Sequence, residues 1–300
     1  MADADYRAGF VAVVGRPNTG KSTLVNALMG EKISIVTSKP QTTRHSILGI
    51  LTEHDTQIVF VDTPGMHVGS GKMLNRLMNR TATASLAGSD LILFIVEATG
   101  WGKGDNHVLG RLRDTGIPLI LVVNKMDLAK RRADLLPVIK DYTERGSFAE
   151  VVPISARRMI NLDRLLDVIR RHLPESEALF PKNVKTDRGI EFRVGESLRE
   201  KLLDALHDEV PYGLAVEILA LEERSDLTLV DAVIWVDKVS HRGIVIGRGG
   251  ERLKGVSTAA RLELEGIFEC RFFLKAQVKV KENWSDNTRM LRQMGYEVSQ

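Results

Sequence analysis

Gly15-Arg16-Pro17-Asn18-Thr19-Gly20-Lys21-Ser22 is the feature that most narrows the fold, because it stands directly after a β-branched apolar run and opens an amphipathic stretch. A GxxxxGK[ST] octapeptide in that strand-to-helix setting is a loop whose glycines let the backbone wrap closely around an anion. Its N–H groups and the helix N-terminus that follows suit phosphate. Lys21 supplies charge for β and γ phosphates, and the Ser22 hydroxyl, followed by Thr23, is placed for Mg2+. Such a loop belongs to a mostly parallel sheet, and the next 150 residues have the matching rhythm. Apolar runs at 10–14, 47–51, 57–61, 91–96, 119–123 and 151–154 read as strands. Helix-length segments at 22–29, 75–85, 106–115 and 162–172 lie between most of them. The expectation is an α/β fold, a doubly wound, mostly parallel sheet covered on both faces, with ligands at the carboxyl ends of its strands.

At 300 residues the chain has room for two domains. With 43% hydrophobic and 27% charged residues it can bury a core, which excludes a disordered or fibrous chain. The longest apolar run, 91–96, is far below the ~20 residues that cross a bilayer, and residues 1–10 carry three charges and no apolar signal core. The lone Cys270 forms no internal disulfide and builds no structural zinc site. The expected location is the cytoplasm.

Three further motifs fall at predicted strand ends. Asp62-Thr63-Pro64-Gly65 places Asp62 where a carboxylate reaches Mg2+ through water. Asn124-Lys125-Met126-Asp127 offers the Asp127 carboxylate to the N1–H and N2–H2 edge of guanine, an edge adenine lacks. Lys125 can lay its aliphatic stem over the purine, and in Ser155-Ala156-Arg157 the Ala156 N–H can meet the guanine O6. GTP is therefore preferred over ATP. Met66, after the Pro-Gly turn, has no group to orient an attacking water, so slow intrinsic hydrolysis is expected.

The ordered set of four motifs resembles the translation-factor-related GTPases. Lys39-Pro40-Gln41-Thr42-Thr43-Arg44, followed by His45, looks like the effector loop of the Era family of bacterial GTPases. The resemblance implies switch I at 41–45, with Thr43 closing on Mg2+ and the γ-phosphate and Thr42 as runner-up. It gives Lys21, Asn18 and Thr43 catalytic parts. Asn18 is expected to hold a K+ ion that stands in for an arginine finger, and Arg16 and Arg44 are alternative charge stabilisers.

A second domain follows a linker, read at 174–189 in the composition and assigned as 176–190, so the expected division is 1–175, the linker, 191–285 and a tail at 286–300. Ser197 with Glu200 reads as a capping box opening its first helix. Strand-like segments at 215–221, 228–236 and 271–280 give the order helix, strand, strand, helix, helix, strand. Charge is uneven: residues 201–240 hold nine acidic and three basic side chains, whereas 241–281 hold nine basic and four acidic. Within the basic half, Val245-Ile246-Gly247-Arg248-Gly249-Gly250 is a GxxG loop of the kind KH domains use to clamp a single-stranded nucleic acid backbone. Arg248 brings charge, and Arg252, Lys254, Arg261 and Lys275 extend the track. The late GxxG looks like the type II KH topology. Trp235, Trp284, Phe272 and Phe273 are expected in the core, with Cys270 a buried small hydrophobe.

A GTPase domain joined to a C-terminal KH domain resembles the Era family over about residues 10–284. What this implies is a Mg2+-dependent GTPase switch that cycles between GTP and GDP and binds small-subunit ribosomal RNA near its 3′ end. It implies a role in small ribosomal subunit assembly, with no DNA partner, a monomeric state and peripheral attachment at the cytoplasmic face of the membrane. The alternative is a GTPase whose C-terminal domain docks a protein or membrane partner. An RNA-modifying GTPase would need a further catalytic domain, and an ATP-using protein is opposed by Asp127.

Overall fold

The structure, a computed structural model, describes residues 6–66, 71–129, 131–207 and 210–296. The chain forms two compact units, the first of Met1–Val36, Thr43–Ser70 and Met78–Asp187, the second of Thr37–Thr42, Gly71–Leu77 and Arg188–Gln300.

The first unit is built on six strands, β1 (Arg7–Val14), β2 (Ile47–Thr52), β3 (Thr56–Asp62), β4 (Leu91–Glu97), β5 (Leu119–Asn124) and β6 (Glu150–Pro153). Their order across the sheet is β2-β3-β1-β4-β5-β6. All pairs are parallel except β2 with β3. The helices are α1 (Lys21–Met29), α2 (Met73–Ala84, of which Met78–Ala84 belong to this unit), α3 (Lys103–Leu112), α4 (Leu135–Thr143) and α5 (Leu162–His172). Successive strand residues go to opposite faces, which explains why the strands read as unbroken apolar runs. Val11, Val13, Leu93 and Ile95 join α1 and α5 in one core layer. Ala12, Val14, Phe94 and Val96 join α3 and α4 in the other. The chain leaves β1 between β3 and β4, so the loop after β1 opens at the switch point where such sheets bind ligands.

Two expectations about this unit are corrected. Helix α4 went unread, because Pro137 sits in its first turn, a position a helix tolerates but that breaks the apolar pattern. The stretch expected to be a linker is bonded to the first sheet as far as Asp187. The wholly buried Gln57 accepts from the Leu179 and Phe180 N–H groups at 2.7 and 2.8 Å and donates to the Phe180 carbonyl at 2.9 Å. Ile50 N–H donates to the Lys185 carbonyl at 2.8 Å, which covers the free edge of β2.

The second unit contains α6 (Ile190–Ala205), β7 (Leu214–Glu223), β8 (Leu227–Val236), α7 (Val239–Ile246), α8 (Glu251–Phe268), β9 (Arg271–Val280) and α9 (Thr288–Gln293). β7 pairs antiparallel with β8, and β8 parallel with β9. Leu198, Leu202 and Leu206 of α6 pack with Ala232, Ile234 and Val236 of β8 and Val256 and Ala260 of α8. The capping box is a correction. α6 starts at Ile190, so Ser197 and Glu200 lie inside it, where Ser197 donates to Glu263 at 3.0 Å and Glu200 pairs with Lys201. Trp284 and Phe272 are in the core as expected, Trp235 is half-buried with its indole N–H on Glu217, and Cys270 is only partly buried. Phe273 departs from expectation: at 59% exposure it faces out of the sheet. Among the described residues no helix is long and apolar enough to cross a membrane.

Candidate functional site

In the first unit the carboxyl ends of β1, β3, β5 and β6 bring the four motifs to one rim, with Asn124 at their junction. Its amide N–H donates to the Thr19 carbonyl at 2.8 Å, while its Oδ1 accepts from the Lys125 N–H at 2.7 Å and the Ala156 N–H at 3.0 Å. One buried side chain thus fixes the distance between the glycine-rich loop, the NKMD turn and the Ser155–Arg157 turn. The loop approaches so closely that a Cβ on Gly20 would stand 2.4 Å from the Asn124 amide, and Gly20 has φ 93°, so both space and backbone demand glycine. Gly15 is equally confined, against the Ile95 carbonyl, and Gly65 against Pro17.

Lys21 is buried and donates to the Arg16 carbonyl at 3.1 Å. Burial, reinforced by Arg16 and partly offset by Asp62, lowers its pKa to about 8. Asp62 is wholly buried and neither carboxylate oxygen has a hydrogen-bond partner. Burial pushes its pKa up, and the nearby Ser22 and Ser34 hydroxyls and Lys21 offset this only in part. A buried carboxylate without partners is costly, and a cation would relieve it.

The Ser22 and Thr43 hydroxyls lie 2.8 Å apart. The Thr42 hydroxyl is used elsewhere, with Thr37 and the Lys39 carbonyl, both at 2.7 Å. Gln41 has φ 64°, and Arg44 is buried. Thr63 Oγ1 donates to the Val13 carbonyl, and Met66 is 1% exposed, its side chain in the core and its N–H on the Gly15 carbonyl. Asp127 is exposed at the start of the turn after β5, beside Met126, which packs on the core. Asn18 and Lys125 both have positive φ, and the Lys125 ammonium donates to the Asn18 carbonyl at 2.7 Å.

In the second unit Gly247, Arg248, Gly249 and Gly250 join α7 to α8, with positive φ at all three glycines. A groove of about 400 Å³ opens between α8 and β9, lined by Gly250, Leu253, Lys254, Thr258, Arg261 and Phe273. Arg248, Arg252 and Lys254 are exposed, whereas Ile246 packs on the core. Part of the basic track is paired internally: Arg261 with Glu265 at 2.8 Å and Lys275 with Asp231 at 3.5 Å.

The profile of the family described as 50S ribosome-binding GTPase matches residues 10–125, and that of the KH domain matches residues 209–285. GTPase Era of Coxiella burnetii is 46% identical over 289 residues, 96% of this chain and 98% of that protein. The chain belongs to the Era family of GTPases. GTPase Era of Pseudomonas aeruginosa is 45% identical over 293 residues, 98% of this chain and 96% of its own. A solved structure of Aquifex aeolicus Era bound to GDP·AlF4− is 36% identical with TM-score 0.94, spanning 97% of this chain and 100% of that one. Another, of Era in complex with MgGDPNP and nucleotides 1506–1542 of 16S ribosomal RNA, is 36% identical with TM-score 0.95, spanning 98% and 100%. The chain is thus an Era-family GTPase with a P-loop domain followed by a KH domain.

Two residues at the rim of this Era-family domain escaped the sequence reading. Glu97, at the end of β4, accepts from Lys125 and from Arg16, the latter at 2.5 Å. Asp105, on α3 with a fully buried side chain, accepts from Arg16 at 3.2 Å. An acid closing an apolar strand run was the available signal for the first. Arg16 is therefore held sideways by two carboxylates.

Proposed function

We propose that this protein is a GTP-driven switch that binds small-subunit ribosomal RNA near its 3′ end and acts in assembly of the small ribosomal subunit. The observation that carries the nucleotide half is the Asn124 junction, which holds a phosphate loop and a guanine-reading turn at a fixed spacing. Residues 15–23 cradle the phosphates, with Lys21 as the counter-charge; 62–66 flank the γ-phosphate; Asn124–Asp127 and Ser155–Arg157 receive the base. Ser22, Thr43 and Asp62 fit Mg2+, since two hydroxyls in contact and a buried partnerless carboxylate are oxygen donors that suit a hard cation. When bound, the ion neutralises charge on the β and γ phosphates. Thr43 is preferred to Thr42 because the Thr42 hydroxyl is already committed.

A buried methionine at position 66 leaves water positioning to the backbone and to Thr43, and Asn18 is proposed to hold K+ as the further charge stabiliser. Arg16 is not assigned that part, because its guanidinium faces Glu97 and Asp105.

The RNA half rests on the GxxG turn beside a groove that combines Lys254 and Arg261 with an exposed Phe273, a mixture of phosphate-binding charge and base-stacking surface. The Era complex with 16S ribosomal RNA supports that target. The proposed domains are 1–175 and 191–285, with residues 176–190 between them lying along the first sheet as far as Asp187 and a tail at 286–300, and the proposed setting is the cytoplasm. Binding of labelled oligonucleotides tiled across the small-subunit RNA 3′ end, with GTP analogue or GDP, tests the reading: one preferred tile supports it, and binding no better than a scrambled oligonucleotide opposes it.

A further inference from the structure

Glu97 is the one acidic side chain through which the P-loop and the NKMD turn share an ion-pair partner among the described residues. It ends β4, opposite Asn124 of β5 in the parallel register, so the strand itself delivers its side chain to the nucleotide rim. Its side chain is 14% exposed. One carboxylate oxygen accepts from the Lys125 ammonium, the other from the Arg16 guanidinium. Its backbone carbonyl accepts from the Tyr142 hydroxyl at 3.0 Å, which ties the strand end to α4. Arg16 is fixed on its other side by Asp105, whose Oδ2 accepts both from the Arg16 guanidinium and from the Gly102 N–H, the latter at 2.8 Å.

From this arrangement we infer that Glu97 is a positioning residue of the guanine-nucleotide site, one that sets the place of Lys125 over the base and of Arg16 behind the phosphate loop. This rests on the nucleotide reading above. The physical reason is a count of donors. The Lys125 ammonium has three N–H groups; one goes to the Asn18 carbonyl and one to Glu97, and these two anchors draw the side chain across the mouth of the site. That leaves its aliphatic stem as the surface a purine ring would lie on. Take the carboxylate away and Lys125 loses its counter-charge while Arg16 keeps Asp105, so the flexible lysine, repelled by the nearby guanidinium and held by the Asn18 carbonyl alone, swings out. Burial opposes the charge on Glu97, but hydrogen bonds from Lys125 and Arg16 outweigh it and hold the carboxyl below its ordinary range. Glu97 therefore stays ionised throughout the neutral range.

Lys125 contacts the ring face and not the 2-amino edge, so the loss on removing Glu97 is the same for GDP and for IDP. Asp127 reads that edge and affects the two differently. The experiment measures GDP and IDP affinity for the full chain as wild type, Glu97→Gln, Lys125→Ala and the double variant, and ADP affinity for the wild type. Glu97→Gln weakens both nucleotides about tenfold, as expected for losing a charge-assisted hydrogen bond, and leaves the GDP/IDP ratio unchanged. On the Lys125→Ala background the same substitution has a smaller effect, because only Arg16 is left for it to position. Glu97→Asp, which keeps the charge but retracts it by one methylene, is the second variant should the amide disturb folding; it loses at least about threefold on the same argument. Wild-type affinity in either folded variant, or a full loss that persists in the double variant, overturns the inference. Wild type that does not prefer GDP to ADP would instead sink the nucleotide reading on which it stands.

Discussion

The hydroxyl oxygens of Ser22 and Thr43 lie 2.8 Å apart, at the interior edge of the effector loop. Two neighbouring ligands of an octahedral Mg2+ stand about 3.0 Å from each other, given metal–oxygen distances near 2.1 Å. The two groups are thus already spaced to share one cation, with the partnerless Asp62 carboxylate buried nearby.

Thr43→Ala is expected to weaken Mg2+ binding in the GTP-analogue complex by about tenfold or more and to lower kcat for hydrolysis. Thr42→Ala removes bonds to Thr37 and the Lys39 carbonyl and has a smaller effect. Mg2+ titrations of both variants check this; a larger loss in Thr42→Ala would reassign the ligand.

Asp127→Asn turns an acceptor-only carboxylate into an amide whose N–H2 faces the guanine N2–H2 donor. GTP affinity should fall by about a hundredfold, since a polar match to the base edge becomes a mismatch. Xanthine carries an acceptor at that position, so XTP binding should improve. Competition of XTP against labelled GDP in the variant reads both changes.

Lys21 gives a pH signature in the nucleotide-free protein. Its pKa is lowered to about 8 from 10.5, so the folded state releases its proton before the unfolded state does as pH rises. Between those two values the unfolded chain binds more protons, and this group's contribution makes stability increase with pH. Below about 8 the full cost of the buried charge is present, at most about 3 kcal/mol. Lys21→Met is therefore expected to raise the neutral-pH Tm of the nucleotide-free protein and to flatten the pH dependence between 8 and 10.5, while destroying nucleotide binding. Thermal melts across that window, with and without GDP, measure it. Phosphate returns the lysine towards its ordinary pKa, so binding near pH 9 takes up a proton.

The sheet and the four motifs were legible because each rests on local chemistry: unbroken apolar runs where strands are buried on two faces, and glycines where the backbone must approach closely, as at Gly20. What escaped depends on partners distant in sequence. Gln57 looked like an ordinary strand residue, yet it binds the backbone at Leu179 and Phe180, and with Ile50 it turns an apparent linker into an edge cover. Ser197 and Glu200 have the spacing of a helix start, but Glu263 and Lys201 satisfy them inside a helix. Glu97 matched no motif, because its meaning lies in Arg16 and Lys125, 81 and 28 residues away. Phe273 alternates correctly for a strand, and only the pairing of β9 shows which face it occupies.

Hydrolysis by the wild-type protein should be faster in K+ than in Na+ at equal ionic strength, by about tenfold or more if the ion supplies charge that Met66 and Arg16 do not. Asn18→Ala should remove the difference. Equal rates in the two salts would transfer the stabilising role to a residue of the chain or to a partner.

The most direct measurement of the switch is RNA affinity as a function of nucleotide state in wild type and Gly250→Asp. Gly250 has φ 82° and open space around its Cα, so aspartate adds strain of about 1 kcal/mol and a negative charge at the groove mouth without a steric clash. The account predicts that one tile from the small-subunit RNA 3′ end binds more tightly with GTP analogue than with GDP, and that the variant loses that binding while keeping its GDP affinity. RNA binding that is equal in both nucleotide states, or that survives in the variant, would contradict it.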